Sequence, residues 1–320
     1  MQDLVAEDLE AVNGLIRERM VSDAAPLIAQ LAQHLIEAGG KRLRPILTLA
    51  AARLCGYEGA HHQRLAATVE FIHTATLLHD DVVDGSDRRR GKAAANVLWG
   101  NKPSILVGDF LFSRSFQLMV ETGSLEVLRI LSNASAVIAE GEVLQLTHIS
   151  TLSDSDAIYM QVIGAKTAAL FEAATEVGGV IADASAERTE ALKRFGWGLG
   201  VAFQLVDDAL DYGGVAAALG KSVGDDFFEG KATLPVLIAY AEGDQAERDF
   251  WTRCFPGGRR EEADLGRAID ILRRRGALEA TLERARMVSQ EAATALDLFP
   301  ASPMRDALQG VAQYVVARAA

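Results

Sequence analysis

The chain of 320 residues is 49% hydrophobic and 24% charged, with a formal net charge of −12. The apolar share excludes disorder, and the acidity excludes general binding of nucleic acid or anionic membrane, which both need a basic field. None of the seven prolines falls between Pro103 and Pro235, a stretch rich in Ala, Leu and Val, so a helical architecture fits and a strand-and-turn one does not. Cys55 and Cys254 are isolated and form neither a disulfide framework nor a CxxC zinc pair; a reducing cytoplasm is the expected setting. Met1–Glu10 is acidic without an apolar core, and no run of 18 apolar residues occurs, so neither a secretory leader nor stable membrane insertion is expected.

Apolar residues at helical spacing predict helices over 4–21, 24–37 and 44–56. Over 61–84, Leu65, Thr68, Val69, Ile72, Ala75, Thr76 and His79 recur at intervals of three and four, making one continuous face. Further helices are predicted over 104–122, 125–148, 156–180, 187–212, 233–243, 261–275, 277–298 and 303–319. Ser153 with Asp156 reads as a capping box, Gly276 after three arginines as a stop, and Ser302–Pro303 as N-cap and first helical residue. Polar, glycine-containing stretches interrupt the pattern at 85–92 and 213–232. With no linker composition and no fixed-period repeat, one all-α domain over 1–320 is expected.

Two strings share one pattern: Asp80-Asp81-Val82-Val83-Asp84 and Asp207-Asp208-Ala209-Leu210-Asp211. On a helix, positions four apart lie about 40° from each other, so Asp80 and Asp84 share a face, as do Asp207 and Asp211. Both strings follow apolar runs, where crowded carboxylates at the negative end of a helix dipole are unfavourable without a cation. A single string also reads as an exposed acidic helix end. Two copies in the same context favour hard divalent cations, and Mg²⁺ keeps coordination positions open for water and phosphate. The spacing of an EF-hand loop is absent.

Basic residues stand near both strings despite the overall acidity. Gly39-Gly40-Lys41-Arg42-Leu43-Arg44 sets three cations beside two glycines, and Arg88, Arg89, Arg90 and Lys92 form a second group. Alone, either group reads as a solvated loop; beside acidic clamps they suit phosphate. Lys166 lies inside an apolar periodic segment, where a lysine must snorkel, pair or bind. Lys221 and Lys231 bracket Gly224-Asp225-Asp226, as ordinary loop charges or as closure over an anion.

Six segments together carry a resemblance: GGKRLRP at 39–45, LLHDDVVDGSDRRRGKAAAN at 77–96, GDFLFSRSFQ at 108–117, GAKTAALFEAA at 164–174, FQLVDDALDY at 203–212 and GKSVGDDFFEGKATLP at 220–235. In this order, over essentially the whole chain, they resemble the trans-isoprenyl diphosphate synthases, and among these the long-chain polyprenyl (octaprenyl to decaprenyl) synthases that make quinone side chains. The resemblance implies an isoprenoid-synthase-type helical bundle around a central cavity. It also implies Mg²⁺ as cofactor and condensation of isopentenyl diphosphate with an allylic diphosphate such as farnesyl or geranyl diphosphate. By the same resemblance Asp80, Asp84, Asp207 and Asp211 are metal ligands, Asp81 and Asp208 supporting carboxylates, and Lys166 belongs with them in the catalytic set. Lys41, Arg44, His73 and Arg90 match the isopentenyl diphosphate site; Arg89, Lys166, Thr167, Gln204, Lys221 and Lys231 match contacts to the allylic diphosphate. Arg88 is an extra arginine and is expected to face solvent. A homodimer is implied, with 104–122 as its interface.

Product length is argued from the helix before Asp80. Ala75 and Thr76 sit roughly 6–8 Å along the axis from the clamp, and small side chains there leave a channel open, with Phe71 and Ile72 lining the next turn. The expectation is a long product. The alternatives are a shorter-chain (geranylgeranyl) synthase, a non-catalytic subunit of a synthase heteromer, a terpene cyclase and a purely structural helical module. A cyclase needs no second diphosphate site of the GGKRLRP kind, and intact aspartates in both strings argue against a silent subunit.

Overall fold

A computed structural model describes residues 1–37, 40–89, 91–153, 156–213, 223–255, 257–258 and 260–318. The fold is all-α; among the described residues the one strand pair is a short antiparallel hairpin, Arg88–Arg89 against Lys92–Ala93, turned by Gly91 at φ +78°. The chain forms two compact units: Met1–Ser135 with Leu170–Gly196 and Ala295–Gln309, and Ala136–Ala169 with Trp197–Thr294 and Gly310–Ala320. No described helix is long and apolar enough to cross a membrane.

In the first unit α1 (Ala6–Arg19), α2 (Pro26–Glu37), α3 (Leu43–Leu54), α4 (His61–Val83), α5 (Ala95–Trp99) and α6 (Asn101–Val120) follow in order. Of the face predicted on α4, Leu65, Thr68, Val69, Ile72 and Ala75 are buried and Thr76 and His79 half-buried. Ala66, Ala67, Glu70, Phe71 and Thr74 are buried as well, so α4 is enclosed on more than one side, and it packs chiefly on α6 and α3. Small residues permit the close approach. A Cβ at Gly108 of α6 would stand 2.3 Å from the His79 ring, whose Nε2 is 3.2 Å from the Ile105 carbonyl. His79 is therefore a packing residue between two helices. Asp8 of α1 accepts two bonds of 2.9 Å from Arg53 of α3 and one of 2.8 Å from Gln63 of α4, which ties three helices at one buried carboxylate.

The second unit holds α8 (Ala157–Ile163), a π-helical turn (Gly164–Ala168), the C-terminal part of α10 (Ala186–Tyr212), α11 (Asp225–Glu229), α12 (Leu234–Ala241), α13 (Gln245–Cys254), α14 (Glu262–Arg274) and most of α15 (Ala277–Ala295). Tyr212, Phe227, Phe250, Trp251, Phe255, Ile271 and Leu272 make its core. α7 (Leu125–His148), α9 (Ala169–Ile181) and α16 (Pro303–Ala317) complete the chain.

Three local expectations are corrected or refined. The segment predicted as one helix over 156–180 is broken by the π turn into α8 and α9. The capping box at Ser153 and Asp156 does not form: Asp156 precedes α8 without a side-chain cap, because its carboxylate pairs with Arg284. Two helices are unmarked by periodicity: α11 lies within the stretch 213–232 expected to be irregular, and α13 lies between the predicted helices 233–243 and 261–275, where no element was expected. α13 carries a true capping box between Asp244 and Glu247. Ser302 and Gly276 act as read: Ser302 Oγ accepts from Arg305 N at 3.2 Å, and Gly276 sits at φ +60°.

Candidate active site

The first aspartate string closes α4, with Asp84 as its C-cap and the Asp84 amide bonded to the Asp80 carbonyl at 2.8 Å. Asp80 and Asp84 are half-buried, whereas Asp81 points inward and is 1% exposed. Arg89, delivered by the hairpin, donates from Nε to Asp81 Oδ1 at 2.9 Å. Asn96 donates to the carbonyls of Asp81 and Ser86 at 3.0 and 3.1 Å and fastens the turn that follows. Arg88 is exposed, as expected. Arg90 lies outside the described residues.

In the same unit Arg42 takes a left-handed conformation at φ +48°, begins α3 and pairs with Glu70 of α4. That turn leaves Lys41 exposed. Arg44 donates to His73 Nε2 at 3.2 Å, and its guanidinium lies 4.2 Å over the Phe171 ring. Since arginine only donates, His73 accepts through Nε2 and carries its own proton on Nδ1. Phe71, Ile72 and Ala75 are buried and Thr76 half-buried; Phe71 and Ala75 belong to the core cluster that includes Val107 and Leu111.

The second string ends α10 and meets a cavity of about 140 Å³ whose lining includes Tyr159, Lys166, Thr167, Gln204, Asp208 and Lys231. Of the six residues matched to the allylic diphosphate, four thus line one cavity; Arg89 belongs to the first unit, and Lys221 lies outside the described residues. The π turn inserts one extra residue and presents Lys166 and Thr167 together, a common device at functional sites. Lys166 Nζ donates to Glu142 Oε2 at 2.8 Å, and Lys231 pairs with Glu229.

Asp208, 3% exposed, accepts from Tyr159 Oη at 2.6 Å and Gln204 Nε2 at 2.7 Å. Burial, aided by the Asp226 and Asp207 carboxylates, still pushes its pKa up to about 7, against the pull of those two donors. Asp211 Oδ2 accepts the Asp226 amide at 3.1 Å. Asp207 accepts from Arg318 at 3.2 Å, whose guanidinium lies 4.5 Å over Phe203. Among the described residues no three acidic, histidine or cysteine side chains converge as a closed metal cage. Oxygen-only carboxylate pairs nevertheless fit Mg²⁺, which binds through one or two carboxylates and completes its shell with water and substrate phosphate.

Sequence comparison matches residues 25–272 to the polyprenyl synthetase family. The chain belongs to that family. This polyprenyl synthase is 46% identical to the octaprenyl diphosphate synthase of Escherichia coli (strain K12), over 99% of this chain and 98% of that one. Its fold matches the crystal structure of a decaprenyl diphosphate synthase from Rhodobacter capsulatus with a TM-score of 0.96 and 57% identity, covering 100% of this chain and 98% of that chain. It matches equally, at 0.96 and 55% identity over 100% and 97%, a polyprenyl synthase from Caulobacter crescentus CB15 complexed with calcium and isoprenyl diphosphate. The synthase is a prenyltransferase of isoprenoid biosynthesis and makes long-chain trans-polyprenyl diphosphates of the octaprenyl-to-decaprenyl class.

Sequence reasoning missed Tyr159, Glu142, Phe171 and Arg318. Each acts through a partner distant in sequence, so no local spacing marks it; Arg318 also falls beyond the matched segment.

Proposed function

We propose that the synthase extends farnesyl or geranyl diphosphate with successive isopentenyl diphosphates to a product of forty to fifty carbons for a quinone side chain, working as a cytoplasmic homodimer. The observation that carries the site assignment is the gathering of Lys166, Thr167, Gln204 and Lys231 around one cavity beside Asp208. The exposed apolar side chains of α6, Leu106, Phe116 and Val120, support the dimer.

Asp80 and Asp84, and separately Asp207 and Asp211, would hold Mg²⁺, which when bound neutralises diphosphate charge and assists its departure. Lys166 and Lys231, which line the cavity, would offset charge on the allylic diphosphate as its C–O bond breaks and the electron pair leaves with the diphosphate. The double bond of isopentenyl diphosphate supplies the pair for the new carbon–carbon bond, and the proton lost afterwards passes to the released diphosphate. Lys41, Arg44 and His73 are assigned to isopentenyl diphosphate. Phe171 stacks on Arg44 and limits the directions its fork can take.

The purified chain, given labelled isopentenyl diphosphate, farnesyl diphosphate and Mg²⁺, is expected to yield a dephosphorylated product longer than twenty carbons and to sediment at twice the chain mass. A product of twenty carbons or fewer overturns the length, inactivity of the chain alone overturns independent catalysis, and monomeric sedimentation overturns the dimer.

A further inference from the structure

The hydrogen bonds around Asp208 have a definite direction. In its ionised form Asp208 only accepts, and in that form the Gln204 amide presents Nε2 to it, with Gln204 Oε1 facing the other way. That carbonyl oxygen also only accepts, so the Thr167 hydroxyl, 2.8 Å away, must spend its single proton on it. Thr167 is left with lone pairs alone. The remaining N–H of Gln204 is its only unspent donor. Tyr159 closes the chain from the far side by donating to the second oxygen of Asp208 at 2.6 Å. Tyr159, Thr167 and Asp208 are each less than 10% exposed, and all four residues line the cavity.

We propose that Tyr159 is a positioning residue for diphosphate binding: by saturating Asp208 it locks the Gln204 amide with one N–H toward Asp208 and the other available to the anion. Thr167 then serves the allylic diphosphate through Gln204 and not as a direct donor. The proposal rests on the assignment of this cavity to the allylic diphosphate, and it deepens that assignment by naming which atoms donate. Without the tyrosine hydroxyl, the buried Asp208 Oδ2 lacks a partner. The Gln204 amide, already bonded to Asp208 Oδ1, can supply a replacement only by turning its second N–H away from the anion.

Tyr159→Phe is the test, assayed alongside the parent chain. Replacing a donor to a buried carboxylate is expected to raise KM for the allylic diphosphate about tenfold, and to weaken binding of inorganic pyrophosphate, measured by calorimetry with Mg²⁺, by a similar factor. KM for isopentenyl diphosphate is expected to stay within twofold. A variant that melts earlier with both KM values unchanged, or that changes neither, overturns the proposal. Gln204→Glu sets two carboxylates face to face and is expected to be worse than Tyr159→Phe; adding Asp208→Asn restores a donor and acceptor and is expected to recover part of the pyrophosphate affinity. If Tyr159→Phe does not fold, that pair decides, and absence of recovery overturns the proposal. Failure of the parent chain to bind pyrophosphate at all instead removes the cavity assignment.

Discussion

Asp8 illustrates how one buried carboxylate organises a corner of the first unit. Burial alone would raise its pKa, but hydrogen bonds from Arg53 and Gln63, with the His62 ring 3.0 Å away, outweigh that and lower it from 3.8 to about 2. A carboxylate held below its unfolded value contributes stability that is complete above about pH 4 and is lost as pH falls toward 2, here about 2 kcal/mol. Asp8→Asn is therefore expected to melt earlier than the parent at pH 7 and to lose less stability between pH 5 and pH 3, read from thermal melts across that range; parallel pH profiles would refute the role. Nothing in the sequence marks Asp8, because an acidic residue in the first turn of a helix is ordinary there and its partners lie 45 and 55 residues away. Asp80, Asp84, Asp207 and Asp211 stand out in the sequence for the opposite reason: their four-residue spacing is one that a helix converts directly into a shared face.

Helices with long apolar runs, such as α4, α6 and α10, are readable from sequence because apolar residues at spacings of three and four persist over several turns. The π turn is not, since its one-residue insertion leaves the apolar pattern of 156–180 nearly intact. α13 escapes because its buried face is short and mixed, with the charged Glu247 beside Phe250, Trp251 and Cys254. The π turn has its own packing signature. A Cβ at Gly141 of α7 would stand 2.7 Å from the Ala165 Cβ and 3.0 Å from the Lys166 amide nitrogen, which is backbone and cannot swing aside. Gly141→Ala is expected to cost about 1–3 kcal/mol by overpacking and, because the displaced segment carries Lys166, to raise KM for the allylic diphosphate. Gly266, mid-helix in α14 with nothing within 4 Å of its Cβ position, makes the contrast. Gly266→Ala is expected to stabilise by about 0.5–1 kcal/mol without changing KM. Melting temperatures of the two variants moving in the same direction would refute this reading of the close contact.

At the scale of the whole chain, a net charge of −12 coexists with phosphate chemistry because its acidic excess includes the two proposed clamps, while Lys166 and Lys231 line the cavity. The product is the other whole-molecule quantity: a long apolar chain must be accommodated beyond the charged site, and α4 sets the first steps away from Asp80. Ala75 is 1% exposed and packs in a cluster with Val107 and Leu111, so a phenylalanine there would disturb the core and confuse stability with product length. Thr76 is half-buried, and its hydroxyl is satisfied within its own helix by the His73 carbonyl at 2.8 Å. It therefore accepts a larger side chain with less strain, one turn from the clamp and about 6 Å along the axis. Thr76→Phe is expected to keep the parent's melting temperature within a few degrees and its rate of first condensation within tenfold, while shifting the dephosphorylated products to fewer isoprene units on reversed-phase chromatography. An unchanged product distribution from a folded, active Thr76→Phe enzyme would remove this face of α4 from the path of the growing chain.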